Sequence, residues 1–183
     1  MLTLSDISIH AWLREHGIKN EKGQPIDFND HFFLFEPYSD LSAHQVYLKA
    51  AQVGLSTLQI IKSIYFAAKN GLNIIYTLPT ESDVQDFAGG KVNPIISQNP
   101  ILQAYVKDKD SVEQKRVGNS TIYYRGTFTQ KAAIMVSSDL NCYDEVDASN
   151  QSVIEQYASR LQHSKFKFEW YFSHPSADGY GVD

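Results

Sequence analysis

The chain has 183 residues, of which 43% are hydrophobic and 20% charged, and it carries a formal net charge of −5 at pH 7. That length and composition suit one sizeable α/β domain with its own core and exclude a disordered or fibrous chain. No apolar run approaches the roughly 20 residues that span a bilayer, and Met1 to His10 lacks the basic start and apolar stretch of a secretion signal, so a soluble cytosolic protein without a membrane partner is expected. The single cysteine, Cys142, excludes a disulfide framework and a cysteine-based zinc site, and is expected as a small buried residue on a strand. The negative balance gives no overall pull toward nucleic acid, so any DNA contact has to be local or supplied by other parts of a larger protein.

Residues 1–34 read as a lead-in: a short helix between Asp6 and Glu21, then a loop from Gly23 to Asp30 with Gly and Pro. The aromatic run His31 to Tyr38 leads into a main domain taken as residues 35–183. Val46-Tyr47-Leu48 is a β-rich run, and Leu58, Ile61, Ile64, Tyr65 and Ala68 recur at helical spacing over Thr57 to Asn70. Gly71 stops that helix, and Leu72 to Thr77 reads as a buried strand ended by Pro79. A helix from Glu81, capped by Thr80 or Ser82, runs to a break at Gly89-Gly90. Lys91 to Asn119 is polar, with a short helix predicted around Ile101 to Val106. Ser120 to Arg125 follows as a strand ending at Gly126, and Ala132 to Val136 as a helical turn or a strand. Leu140 to Tyr143 leads into Asp144-Glu145, Ser152 to His163 is an amphipathic helix, and Lys167 to Ser173 a last strand. Strands alternating with helices predict a mainly parallel sheet flanked by helices.

Lys49-Ala50-Ala51-Gln52-Val53-Gly54-Leu55-Ser56-Thr57 lies between a strand and a helix, where a nucleotide-binding loop has to sit. Backbone N–H groups there, with the helix N-terminus, face phosphate, and a first-turn Ser or Thr hydroxyl ligates Mg²⁺. Gly54 and Ser56 can fill those roles, with Thr57 as an assisting or substitute hydroxyl. The usual G-x-x-x-x-G-K-[ST] order is not met: with Gly54 as its second glycine, Leu55 stands where the Lys belongs and Lys49 where the first glycine belongs. A cation is still needed at the β- and γ-phosphates, and Lys49 is the basic residue that can supply it. Taken alone, the segment could equally be a Gly turn before a helix capped by Ser56.

Asp144-Glu145 after a strand matches the order of the additional-strand class of P-loop ATPases, in which an Asp joins the Mg²⁺ shell and a following Glu polarises the attacking water. On an extended backbone the two carboxylates point to opposite sides and can hold different roles. An acidic turn after a strand is the plainer alternative.

With both motifs present, the sequence from about Phe35 onward resembles the ATPase region of bacteriophage terminase large subunits, in particular the lambda-like branch. That branch also carries Lys at the start of the loop and a non-Lys residue after its second glycine. Glu36-Pro37-Tyr38, Thr77-Leu78-Pro79-Thr80 and Arg125-Gly126-Thr127 continue the family order. Ser173-His174-Pro175-Ser176 resembles the motif that couples hydrolysis to movement, with Ser173 directed toward the γ-phosphate. The resemblance implies a RecA-like P-loop fold with ATP and Mg²⁺ as cofactors. The partners it implies are double-stranded DNA, a homo-oligomeric ring on the procapsid portal and the terminase small subunit, in the host cytoplasm. The separate nuclease domain of such proteins is not expected in this chain. Lys49, Gln52, Val53, Gly54, Leu55, Ser56 and Thr57 would then form the nucleotide loop, Ser56 and Asp144 would hold the metal, and Glu145 would be the catalytic carboxylate.

Arg125, at a strand end before the acidic pair, is the candidate for an arginine that stabilises phosphoryl charge from a neighbouring subunit, against a plain surface arginine. Arg116 and Arg160 sit in no matching motif. Gln45 could read an adenine edge while Tyr38 packs on the base, and Gln52 could orient a phosphate oxygen. His44, His163 and His174 show no metal-like spacing. The charged stretch Lys107 to Arg116 reads as a solvated face. A helicase-type translocase and a nucleotide-binding assembly module with little hydrolysis are the competing readings.

Overall fold

A computed structural model of the chain describes residues 8–128 and 136–174, with residues 107–110 described by backbone alone. Among the described residues seven strands form one sheet: β1 (His44–Leu48), β2 (Ile74–Leu78), β3 (Val106–Ser111), β4 (Gln114–Val117), β5 (Ser120–Gly126), β6 (Leu140–Asp144) and β7 (Phe168–Ser173), in the order β1-β7-β6-β2-β5-β4-β3. The first five in that order run parallel, and β4 and β3 return antiparallel at one edge. Strand β7 therefore lies between β1 and β6, the insertion for which the additional-strand class is named.

The helices are α1 (Ile9–Glu15), α2 (Phe35–Ser39), α3 (Leu55–Asn70), α4 (Glu81–Phe87), α5 (Asn93–Gln98), α6 (Pro100–Tyr105) and α7 (Gln151–Ala158). Strand residues alternate between the two faces. Ile74, Tyr76 and Cys142 join the larger core under α3 and α4, whereas Ile75 and Tyr143 pack with Val153, Ile154 and Tyr157 of α7. Trp12, Leu13, Ile18 and Leu34 belong to the same buried cluster as α3, so the segment before residue 35 packs directly against the main domain.

Among the differences from the expected elements, three have a local cause. Helix α3 starts at Leu55 rather than Thr57, because Gly54 takes the left-handed conformation (φ 84°) that serves as its N-cap without a side-chain cap. Gly89-Gly90 does not break the helical path. The backbone passes through a π turn, Ala88–Val92, straight into α5, held by the buried Ala88 and Val92. Lys107 to Arg116 folds as the β3–β4 hairpin, whose polar pattern suits a sheet edge, and within the stretch Lys115 is buried with its ammonium on Asn93 Oδ1 at 2.7 Å. Ala132 to Met135 and Pro175-Ser176 lie outside the described residues.

Because α3 is enclosed on nearly all sides, its polar residues need internal partners. Gln59 and Ser63 meet the buried Cys142 thiol, which burial pushes up to about 12 and so keeps protonated. Lys62 donates to the carbonyls of Pro37 (2.8 Å) and Asp40 (2.6 Å) and lies over the Trp170 ring, pinning the turn before β1 to α3. Burial brings this ammonium down to about 7, against about 10.4 for an unfolded lysine. Below pH about 7 the buried charge is present and its penalty is full; as pH rises the folded chain sheds the proton first and the penalty fades. The stability of the parent should therefore rise relative to Lys62→Met by about 2–3 kcal/mol between pH 7 and 9. Urea denaturation of both proteins at the two pH values measures it, and parallel pH profiles would contradict it.

Candidate functional site

The loop after β1 and the turn after β6 meet at the carboxyl ends of the parallel strands, where open α/β sheets bind their ligands. Lys49, just past the end of β1, is fixed by its own N–H to Ser173 O of β7 at 2.9 Å. Its Nζ reaches Asp144 Oδ1 at 2.6 Å and Glu145 Oε1 at 2.9 Å. Burial works against the Lys49 charge, but Asp144 and then Glu145 outweigh it and raise the ammonium above its ordinary value. The first-turn hydroxyl of Ser56 donates to Asp144 Oδ2 at 2.9 Å. A hydroxyl and a carboxylate converging this way are hard oxygen donors of the kind that hold Mg²⁺. Among the described residues no group of three or more His, Cys, Asp or Glu is arranged to hold a metal ion.

The plainer reading of the loop, in which Ser56 is only a cap, does not hold, because Gly54 is the N-cap and the Ser56 hydroxyl faces Asp144. The first-turn N–H groups of α3 receive no side-chain cap, which leaves them available to an anion. Gly54 also closely approaches Leu34, since a Cβ there would lie 3.1 Å from Leu34 Cδ1. Leu55, at the usual lysine position, is buried in the core, and Lys49, the loop's one basic residue, is the ammonium that lies on the acidic pair. Val53 packs against the same core, and Gln52 is the loop's one non-glycine residue with positive φ (60°).

The acidic pair departs from the expected alternation. Strand β6 ends at Asp144, and Glu145 adopts the left-handed conformation (φ 53°, ψ 51°). A turn, and not strand alternation, separates the two carboxylates, and it brings both to Lys49. The second Glu145 oxygen lies 3.1 Å from His174 Nδ1, a contact that metal spacing among the histidines gave no reason to expect. Glu145 also borders a cleft of about 810 Å³ lined by Leu78, Pro79, Phe87 and Phe128, which opens it to water. Ser173 is buried and accepts the Asp147 N–H at 3.1 Å, so one residue ties the end of β1 to the turn after Glu145.

A second cleft, of about 380 Å³, lies on the other flank of the loop, lined by Glu21, Phe28, Tyr38, Gln52, Gly54 and Thr57 among others. Thr57 turns to this side and donates to Glu21 Oε2 at 3.0 Å, so of the two loop hydroxyls it is Ser56 that reaches Asp144. Tyr38 lines this cleft but is otherwise packed in the core. Gln45 is not brought to either site: its amide donates to Asp40 O and Ser42 O, and its carbonyl accepts from Tyr47 and Lys62. Arg125 is also apart from the cluster, bonded to the carbonyls of Glu113 and Tyr124 and lying 5.4 Å from the Tyr123 ring. Its neighbour Gly126 presses on the start of α4, where a Cβ would come within 2.9 Å of the Thr80 and Glu81 backbone. The Thr77 to Thr80 and Arg125 to Thr127 segments lie together because β2 pairs with β5 in this register and Thr127 N–H continues it to Leu78 O and Pro79 O.

A sheet with an extra strand between the loop strand and the acidic strand, joined to this lysine, hydroxyl and carboxylate arrangement, defines a P-loop NTPase domain. The sequence profile of the phage terminase large subunit gpA ATPase domain matches residues 38–164, and the chain belongs to that family. Solved structures agree on the fold. The large terminase of bacteriophage HK97 aligns with a TM-score of 0.76 at 13% identity, over 96% of this chain and 39% of that one. The Thermus phage P74-26 large terminase ATPase domain aligns at 0.68 and 14% identity, over 97% of this chain and 72% of that one. The large terminase of the thermophilic bacteriophage D6E in complex with ATP-gamma-S aligns at 0.55 and 15% identity, over 79% and 36%. Comparison with individual curated proteins gives no match. The chain thus spans about two fifths of the HK97 protein, and no helix among its described residues is long and apolar enough to cross a membrane.

Proposed function

We propose that this chain hydrolyses ATP for a phage DNA-packaging motor, with Lys49, Ser56, Asp144 and Glu145 as its reaction centre. The observation that carries the reading is the ammonium of Lys49 held by both carboxylates while the Ser56 hydroxyl bonds one of them. On nucleotide binding Lys49 would exchange the carboxylates for the β- and γ-phosphate oxygens, and the N–H groups of Gln52 to Thr57 would cradle those phosphates. Ser56 and Asp144 would hold Mg²⁺, which supplies charge neutralisation on the phosphates. Once Lys49 turns to phosphate, Glu145 is free to orient a water and accept its proton. Ser173, linking β1 to the Glu145 turn, is suited to pass a change at the phosphate to the rest of the domain.

The cleft beside Gln52, Gly54 and Thr57 is the place for the base and ribose, with Tyr38 as its floor. The D6E terminase complexes with ADP and ATP-gamma-S support nucleotide as the ligand class. We assign Arg125 to the site of a neighbouring copy, consistent with its bonding to the carbonyls of Glu113 and Tyr124 rather than to the Lys49 cluster. Translocation of double-stranded DNA by a homo-oligomeric ring on the portal, with the small subunit and in the host cytoplasm, follows from the family as part of this proposal. Calorimetry with ATP in the presence and absence of Mg²⁺, paired with phosphate release, tests it. Mg²⁺-dependent binding with slow release is expected, and absence of binding would sink the assignment.

A further inference from the structure

We propose that Tyr76 is a positioning residue that sets the metal affinity of the nucleotide site by fixing the Asp144 carboxylate. Its hydroxyl donates to Asp144 Oδ2 at 2.7 Å. The inference rests on the reading of Asp144 as a metal-holding carboxylate.

Tyr76 stands on β2, the neighbour of β6, paired in register with Cys142, two residues before Asp144. Its ring is fully buried between Phe87 (5.0 Å) and Tyr124 (5.6 Å), so its hydroxyl cannot swing to another partner. A carboxylate accepts and a phenol donates, so in this contact the Tyr76 hydroxyl is the donor. Asp144 accepts four donors: Lys49 and the Glu145 N–H on Oδ1, Ser56 and Tyr76 on Oδ2. Two of these, Lys49 and Ser56, are the groups that nucleotide and metal would claim. The Glu145 N–H and the Tyr76 hydroxyl are then left to hold the carboxylate. The terminal torsion of an aspartate is broad and two-fold, so without the phenol the plane of the carboxylate is only half specified. Partners of this kind behind a metal ligand typically change metal affinity by about 10–100-fold.

Tyr76→Phe removes one oxygen and keeps the ring stack. The measurement is binding of a fluorescent ATP analogue to the whole chain as Mg²⁺ is varied, with a parallel titration in EDTA. Tyr76→Phe should raise the Mg²⁺ concentration for half-maximal binding by about tenfold or more, while metal-free affinity stays unchanged. A merely structural phenol would alter the melting temperature and leave the Mg²⁺ midpoint in place, which would overturn the proposal. A melting curve of Tyr76→Phe fixes a titration temperature at which the variant is folded, so the Mg²⁺ midpoint is read on folded protein. Asp144→Asn separates the two levels. A shift with Asp144→Asn but none with Tyr76→Phe rejects the role of Tyr76 alone, and no shift with either rejects the reading of Asp144 beneath it.

Discussion

Glu145→Gln is expected to lower ATP turnover by about a hundred-fold to ten-thousand-fold while leaving nucleotide affinity within a few-fold. The amide has nearly the same shape as the carboxylate, and its oxygen can still accept the Lys49 ammonium that Glu145 Oε1 meets at 2.9 Å. The left-handed backbone at residue 145 is also kept, so the turn that faces the carboxylates toward the loop should persist. What the amide cannot do is take a proton from water. Phosphate release at saturating MgATP gives the turnover, and calorimetry gives the affinity. Undiminished release would remove Glu145 from the reaction.

Lys49→Met should abolish measurable MgATP binding and also destabilise the free chain by about 3–5 kcal/mol, the usual result of stripping one partner from a buried ion pair. Both effects come from the same contact, since the Asp144 and Lys49 side chains are 2% and 6% exposed. Adding Asp144→Asn should recover most of the stability, because the buried charge is gone, and none of the binding. Urea denaturation and calorimetry separate the two. Moving the lysine to its usual place with Lys49→Met/Leu55→Lys should not restore binding, because Leu55 points into the core and a charge there is unpaired. Recovery of binding in that variant would mean that the loop can adopt the ordinary arrangement and that Lys49 is dispensable.

The order of elements was legible in the sequence because it rests on local patterns. Strand runs of Val, Ile and Tyr, the helical recurrence of Leu58, Ile61 and Ile64, and the Thr80 cap depend on neighbours within a few residues. Thr80 indeed closes a capping box with Asp83. The β3–β4 hairpin was missed because an edge strand needs little apolar pattern, and the Gly89-Gly90 break was overread because a π turn can carry glycine through a helical path. Of the candidate residues, Lys49, Ser56, Asp144 and Glu145 converge, whereas Gln45 and Arg125 bond elsewhere. Gln45 at a strand start carries no local mark of the carbonyls it will meet.

By itself the sequence determined that a strand, a loop with its lysine at the wrong end, and a helix precede an acidic pair, and that this order resembles one family. Only the tertiary structure decided that the misplaced lysine reaches both acids, that Glu145 turns back to meet it, and that Tyr76 and His174 stand behind the pair. The reason is physical. Helix and strand signals are set by residues a few positions apart, but the Lys49 to Asp144 contact joins groups 95 positions apart in the chain. It exists because the inserted β7 places β1 and β6 two strands apart with their carboxyl ends level. Buried charges and hydroxyls must then find partners among whatever that register brings near.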